Sequence, residues 1–173
     1  MDKLTLALDL EDCLITPLTK YNDFKQDPGP FHPRPGLLDF LTWAGERYTL
    51  AVFTGVPSKM ALRVLDILVA GGHAPQGFNR LAVTLARDPS GNARPPKRFS
   101  DPDGRLKDLS RLGPLGTVMI LDDNPEGYAV SGQEAYWIKI SEIPRKMGVP
   151  TGDTDLVDVR PEIDALAAKL KSQ

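Results

Sequence analysis

The chain has 173 residues, of which 41% are apolar and 25% charged, as is ordinary for one globular domain. Its formal net charge is −2, so no overall field favours nucleic acid or a membrane surface as a partner. A single cysteine, Cys13, excludes an intrachain disulfide and a cysteine-based zinc cluster. No apolar run approaches the ~18 residues that span a bilayer. Since an apolar segment begins so near residue 1, we expect no signal peptide and a reducing, cytoplasmic setting.

The first predicted element is a strand over residues 4–8, an apolar and β-branched run that is too short for an independent helix. Three carboxylates follow within four residues, at Asp9, Glu11 and Asp12. Buried, unpaired charge is costly, so we interpret this cluster as a site at the carboxyl end of the strand, where open α/β sheets bind their ligands. The alternative is a strand followed by an acidic turn.

An extended loop and a helix are predicted to follow. Residues 17–35 are rich in proline and polar side chains, which favours an extended loop over a linker between domains. Pro35 suits the first turn of a helix, so a helix is predicted to begin near it. The side chains predicted to form the buried stripe of this helix are Leu37, Leu38, Leu41 and Ala44.

A second strand and a second helix are predicted next. Residues 48–54 form an apolar run that ends at Thr54, with Gly55 directly after it. The helix is predicted to begin at Pro57 and to end at the glycine pair of residues 71–72. Its predicted apolar face consists of Met60, Ala61, Val64, Leu65 and Leu68.

The second half of the chain continues the alternation of strands and helices. A third strand is predicted over residues 80–85, and residues 87–104 are rich in proline and glycine, so we expect a functional or mobile loop there. The remaining predictions are a short helix over 106–112, strands over 117–121 and 135–140, and a closing amphipathic helix over 155–170. Strands that alternate with helices indicate a parallel sheet with right-handed crossovers.

Three of the predicted strands end in polar side chains, which we therefore expect to meet at one edge of the sheet. Carboxylate oxygens of Asp9 and of Asp122 or Asp123 suit Mg²⁺, while the hydroxyl of Thr54 and nearby backbone N–H groups suit phosphate oxygens. A lysine would offset the negative charge of such a site. An aspartate that attacks phosphorus forms an aspartyl-phosphate, which water then hydrolyses.

Five segments, in order along the chain, carry a resemblance to a known family. They read LDLEDCL at 8–14, RPGLLDFL at 34–41, VFTG at 52–55, LKDLSRLG at 106–113 and ILDDNP at 120–125. Together they resemble the haloacid dehalogenase (HAD) superfamily of phosphohydrolases, and most of all its RNA polymerase II C-terminal-domain phosphatases and their small relatives. The resemblance implies one HAD-like phosphatase domain over residues 1–173. Its expected core is a Rossmann-like, doubly wound parallel α/β sheet of order 3-2-1-4-5, without a large cap domain.

The resemblance also implies roles for individual residues. Asp9 corresponds to the nucleophile and to a magnesium ligand, and Thr54 with Gly55 corresponds to the phosphate-binding segment. Lys107 corresponds to the lysine that bridges nucleophile and phosphate. Asp122 and Asp123 correspond to the residues that hold the metal.

Two positions depart from the family pattern. Glu11 is expected to give its backbone carbonyl to the metal, and its side chain stands where the general acid/base is usually Asp. A misplacement of about 1 Å in a catalytic group can cost on the order of 10²-fold in rate. Cys13 stands where Thr is usual. Asp12 is interpreted as a turn residue, although it could replace Glu11 as the acid/base.

These observations predict a Mg²⁺-dependent phosphomonoester hydrolase that acts on a phosphoprotein or a small phosphorylated metabolite. A catalytically inactive binding module on the same fold and a phosphotransferase are the alternatives. Lys107 could instead be an ordinary surface lysine of a helix. The excess of arginine and lysine over residues 87–105 could steer a phosphorylated substrate, or simply form a solvated face.

Overall fold

The computed structural model describes residues 3–16, 18, 28–85, 106–143 and 152–172. The loop predicted over residues 87–104, with its basic side chains, lies outside these ranges. The strands are β1 (Thr5–Leu8), β2 (Thr49–Thr54), β3 (Val83–Leu85), β4 (Val118–Asp122) and β5 (Trp137–Lys139). The helices are α1 (Leu37–Arg47), α2 (Ser58–Ala70), α3 (Pro125–Tyr128), α4 (Asp155–Asp158) and α5 (Arg160–Lys171). No helix within the described ranges has the length and apolar character to cross a membrane.

The strands form one parallel sheet in the order β3-β2-β1-β4-β5, which confirms the predicted doubly wound topology. β1 lies at the centre, where Leu8 pairs with Val52 of β2 on one side and with Leu121 of β4 on the other. Its residues Leu6 and Ala7 are fully buried on opposite faces of the sheet. Burial on both faces explains why Leu6, Ala7 and Leu8 are apolar in succession rather than alternating with polar residues.

The first two helices lie close to their predicted positions. α1 begins after Gly36, whose φ of 75° is a left-handed conformation that favours glycine. Leu38 is a wrong prediction, because it is 41% exposed on α1 and Phe40 takes the place in the core instead. The predicted apolar face of α2 is confirmed, since Met60, Ala61, Val64, Leu65 and Leu68 are all buried.

The edges of the sheet and the C-terminal helix differ from the prediction. β3 and β5 are three residues each, shorter than the strands predicted over 80–85 and 135–140, and they form the two edges of the sheet. The segment predicted as a helix over 106–112 forms only a 3₁₀ turn at Leu109–Arg111. The closing helix is divided into α4 and α5, and Pro161 lies in the first turn of α5, where its missing N–H is tolerated.

Candidate active site

Three carboxylates converge at the carboxyl end of the two central strands. Asp9 follows β1 directly and its N–H donates to the carbonyl of Leu121 at 3.1 Å, so Asp9 lies beside Asp122 at the end of β4. Oxygens of Asp9, Asp122 and Asp123 all lie within 4.8 Å of one another. The structure therefore brings together the two acidic segments that the sequence placed at one sheet edge.

Lys107 enters this cluster from the chain between β3 and β4. Its Nζ lies 3.0 Å from Oδ2 of Asp9 and 2.6 Å from Oδ2 of Asp122. The Lys107 side chain is only 2% exposed, so the alternative of an ordinary surface lysine is wrong. A buried ammonium is stable where carboxylates pair with it, and here both Asp9 and Asp122 pair with Lys107.

The backbone around Lys107 is held by groups that the sequence patterns did not reveal. The N–H of Lys107 donates to the carbonyl of Tyr128 at 2.8 Å, and the Tyr128 ring centroid lies 5.4 Å from Nζ. Buried Gln133 accepts from the N–H of Leu109 and donates to Oδ1 of Asp108, both at 2.8 Å. Gln133 belongs to no apolar period and to none of the five segments, so no sequence signal identifies it.

The cluster has more negative than positive charge, because three carboxylates face one ammonium. Burial raises the pKa of Asp9 to about 7, with the charge of Asp122 adding to the effect and Lys107 opposing it. Burial and then the charges of Asp122 and Asp12 raise the pKa of Asp123 to about 6. Burial alone would lower the pKa of Lys107, but Asp9 and Asp122 outweigh it and hold that pKa above its usual range.

The donor set of the cluster fits a divalent cation with a preference for hard oxygen ligands. Both carboxylate oxygens of Asp9 have a partner, one in Leu10 N–H and the other in Lys107. The same is true of Asp122, whose oxygens accept from Asn124 N–H and from Lys107. Asp123 is only half-buried, so its carboxylate is the most accessible of the three. Three converging carboxylates with an excess of negative charge suit a divalent cation.

Thr54 and Gly55 lie at the same edge, at the end of β2. Thr54 is fully buried and its hydroxyl oxygen accepts from the N–H of Val56 at 3.1 Å, which fixes the turn after the strand. Gly55 is exposed, and a Cβ atom built on it would meet nothing within 4 Å. The backbone at Gly55 is thus open to the approach of a ligand.

Glu11 lies in a tight turn that follows Asp9. Its Oε1 accepts from the N–H of Leu18 at 2.8 Å, so the carboxyl is held toward the loop after the turn. Asp12 is buried and adopts a φ of 59°, a left-handed conformation that is uncommon for a residue with a side chain. The thiol of Cys13 is buried beneath the cluster, 3.6 Å from the carbonyl of Leu121, and burial raises its pKa well above the usual range.

Comparisons with known proteins identify the family of this chain. The sequence model of the family described as NLI interacting factor-like phosphatase matches residues 4–171. Phosphatase PSR1 of Saccharomyces cerevisiae (strain ATCC 204508 / S288c) is 30% identical over 137 residues, which are 79% of this chain and 27% of that protein.

Two solved structures share the fold. Fission yeast RNA polymerase II CTD phosphatase Fcp1, in a variant bound to beryllium fluoride, matches with a TM-score of 0.56 and 18% identity over 96% of this chain and 51% of that one. A second structure is that of Fcp1, described as an essential RNA polymerase II CTD phosphatase. It matches with a TM-score of 0.54 and 18% identity, over 96% of this chain and 50% of that one. The chain thus spans about a quarter of PSR1 and half of Fcp1.

Proposed function

Because the chain belongs to the NLI interacting factor-like phosphatase family, we propose that it is a phosphomonoester hydrolase that acts through an aspartyl-phosphate on Asp9. The observation that carries this proposal is the position of Lys107 Nζ, buried between Asp9 at 3.0 Å and Asp122 at 2.6 Å, with Asp123 beside them. A protein that only binds a partner has no physical need for a buried ammonium among three carboxylates, since such a cluster is costly to bury.

Asp9 is the proposed nucleophile because both of its oxygens are fixed. Leu10 N–H binds Oδ1 at 2.8 Å and Lys107 binds Oδ2 at 3.0 Å, so the carboxylate has little freedom to rotate. In the first step an Asp9 oxygen forms a bond to phosphorus while the bond from phosphorus to the leaving oxygen breaks. Lys107 neutralises part of the charge that accumulates when a carboxylate meets a phosphoryl group.

Thr54 and Gly55 are the proposed contacts for the other phosphoryl oxygens. The Thr54 hydroxyl is buried at the turn after β2 and its oxygen accepts from Val56 N–H, so its proton would be the contact to phosphate. The open space at Gly55 lets a ligand approach the backbone N–H groups there. These groups would hold the phosphoryl group in position for attack, which is where much of the rate enhancement of phosphoryl transfer arises.

Magnesium is the proposed cofactor, with Asp9, Asp123 and the backbone carbonyl of Glu11 as ligands and Asp122 completing the acidic set. When bound, the cation would supply positive charge to the phosphoryl oxygens. Asp122 also holds Lys107 in place, because its Oδ2 accepts from Lys107 Nζ. Asp123 is the more accessible ligand.

Glu11 is the proposed general acid/base. As an acid it would give a proton to the leaving oxygen, and as a base it would take one from the water that hydrolyses the aspartyl-phosphate. The bond from Leu18 N–H takes up one carboxyl oxygen at 2.8 Å and restrains the longer glutamate side chain. The role is supported by the place of Glu11 in the chain, two residues after Asp9 in the turn at the acidic site.

The substrate is proposed to be a phosphoprotein or a small phosphorylated metabolite, and the setting the reducing cytoplasm, where the buried free thiol of Cys13 is stable. A phosphotransferase would use the same residues with an acceptor other than water. A binding module without activity would need neither the Lys107 arrangement nor the fixed orientation of Asp9.

The test is hydrolysis of p-nitrophenyl phosphate by three proteins: wild type, Asp9→Asn, and Asp39→Asn as a control on an exposed carboxylate of α1. We expect wild type and Asp39→Asn to be active with Mg²⁺ and inactive with EDTA, and Asp9→Asn to be inactive in both. Turnover by Asp9→Asn at the wild-type rate contradicts the proposal.

A further inference from the structure

Arg34 is a fully buried arginine whose guanidinium contacts two groups of residues. On its inner side it contacts the turn at Asp12 and Cys13, and on its outer side it contacts Ser141, Asp153 and Asp155. Its side chain is 1% exposed, and it follows the extended loop that leads into α1. Its hydrogen-bond acceptors are the carbonyls of Asp12, Cys13 and Ser141 and the carboxylates of Asp153 and Asp155. An arginine is buried at this depth only when nearly all its donors are used, so this side chain has a specific task.

The inner side of Arg34 holds the turn that follows Glu11. Its Nη1 donates to the carbonyls of Asp12 at 3.3 Å and Cys13 at 3.1 Å, and its backbone N–H donates to the carbonyl of Leu14 at 2.8 Å. Arg34 thus binds three consecutive carbonyls, directly after the proposed acid/base. Asp12 has a φ of 59°, so this turn depends on outside contacts to keep its shape.

The outer side of Arg34 fixes the guanidinium itself. Nε binds Asp153 at 2.8 Å, and Nη2 binds Asp155 at 2.7 Å and the carbonyl of Ser141 at 2.8 Å. The two carboxylates offset the cost of burying the charge. The planar group is therefore held between the start of α4 and the turn of the acidic site.

We infer that Arg34 is a positioning residue for Glu11. Its hydrogen bonds to backbone carbonyls fix the turn between Glu11 and Leu14, and that turn determines how far the Glu11 carboxyl extends toward the substrate. The inference rests on the proposed function, in which Glu11 is the acid/base. A general acid must lie within about 3 Å of the leaving oxygen, and an error of about 1 Å costs on the order of 10²-fold in rate. The two hydrogen bonds from Nη1 to the carbonyls of Asp12 and Cys13 serve this requirement by holding the turn in place.

The test compares Arg34→Lys with Asp155→Asn. Lysine keeps the positive charge, but a single ammonium cannot serve the carbonyls on the inner side and the carboxylates on the outer side together. Asp155→Asn weakens only an outer contact, at a carboxylate that is 35% exposed, and leaves the contacts of Nη1 in place. It is therefore the matched control.

The readout is the ratio of kcat/KM for two substrates, p-nitrophenyl phosphate and an alkyl phosphate. An alkoxide leaving group needs a proton from the acid, whereas p-nitrophenolate leaves without one. We expect Arg34→Lys to lose on the order of tenfold more kcat/KM on the alkyl phosphate than on the aryl phosphate. Glu11→Gln should show the same preference, and Asp155→Asn the wild-type ratio.

A purely structural role for Arg34 gives a different result. A smaller folded fraction lowers the rates on both substrates by the same factor, so an unchanged ratio in Arg34→Lys overturns the inference. If Arg34→Lys does not fold, the charge-balanced variant Arg34→Gln with Asp155→Asn is measured against Asp155→Asn alone, with the same change in ratio expected. An unchanged ratio there also overturns it.

A second readout separates this inference from the proposed function. The N–H groups of Leu14 and Ile15 both donate to the carbonyl of Leu10, and their hydrogen exchange reports on the turn without any substrate. We expect faster exchange in Arg34→Lys than in Asp155→Asn. If wild type hydrolyses neither substrate, the proposed function fails, and unchanged exchange at these two amides is then the result that refutes a positioning role.

Discussion

The Nζ of Lys107 lies 2.6 Å from Oδ2 of Asp122, and both side chains are buried, although the two residues are 15 positions apart in the chain. Asp122 belongs to β4 and Lys107 to the segment that bridges to Ala129 after α3, so the pair forms only in the folded chain. The neighbouring Asp123 is half-buried and has its pKa raised to about 6. We therefore expect these two adjacent aspartates to affect stability in opposite directions.

We predict that Asp122→Asn destabilises the protein by about 2 kcal/mol, because it weakens a charge-assisted hydrogen bond to Lys107, which keeps Asp9 as its other partner. Asp123→Asn should be neutral or slightly stabilising in Mg²⁺-free buffer, because it removes repulsion from an excess of negative charge. Urea unfolding of both variants measures the difference. Equal losses of unfolding free energy in the two variants would contradict the prediction that only Asp122 contributes to stability.

Lys107→Met is expected to lower kcat more than it raises KM, because the ammonium matters most where phosphoryl and carboxylate charge meet in the transition state. Lys139→Met is the control, since Lys139 is exposed and pairs only with exposed Glu126 among the contacts described for it. Steady-state kinetics on p-nitrophenyl phosphate distinguish them. An unchanged kcat in Lys107→Met rules out its role in the chemical step.

Glu11→Asp is expected to lower kcat, because the bond from Leu18 N–H holds the longer side chain and the turn is built around glutamate. Glu11→Gln should be clearly impaired, since an amide cannot exchange the proton. If Glu11→Asp is faster than wild type, the turn has not adapted to glutamate. If Glu11→Gln matches wild type, Asp12 or the leaving group itself supplies the proton.

Tyr48→Phe tests how the C-terminal helix α5 is attached. The Tyr48 hydroxyl donates to Oδ1 of Asp164 at 2.6 Å, and because Asp164 is exposed to solvent we expect this hydrogen bond to contribute about 1 kcal/mol. Burial and then Asp164 raise the Tyr48 pKa above its ordinary value. The unfolded chain thus loses this proton first, so the contribution is complete below pH ~10 and declines as pH rises further.

The measurement is the difference in unfolding free energy between wild type and Tyr48→Phe as a function of pH. We expect a constant difference through the neutral range and a smaller one in alkali. A difference that grows above pH ~10 has the wrong sign for a raised tyrosine pKa and contradicts this account of the contact.

The sheet edge was predictable because buried parallel strands leave a direct trace in the sequence. β1 and β4 are continuous apolar runs, and each is followed or ended by an acid, Asp9 after β1 and Asp122 in β4. In a parallel sheet all such ends lie on the same side, so order along the chain was enough to place the acidic cluster. The motif around Lys107 then placed the ammonium beside it.

The supporting contacts were not predictable, because they join distant segments through loop residues. Arg34 reaches Asp155 across 121 positions, and Gln133 reaches Leu109 across 24. Polar side chains in loops follow neither the helical nor the strand period, so no pattern pairs them. Leu38 was misplaced for a related reason: residues 37 and 38 both fit an apolar stripe, and only packing decides the phase of the helix.

The central claim is that a phosphoryl group passes through Asp9. The most direct measurement is acid quenching of the Mg²⁺-loaded enzyme during turnover, followed by mass spectrometry of its peptides with and without hydroxylamine, which cleaves acyl phosphates. The account predicts one hydroxylamine-sensitive phosphoryl group on Asp9 in wild type and none in Asp9→Asn. A phosphoryl group on another residue, or turnover by Asp9→Asn at the wild-type rate, would contradict it.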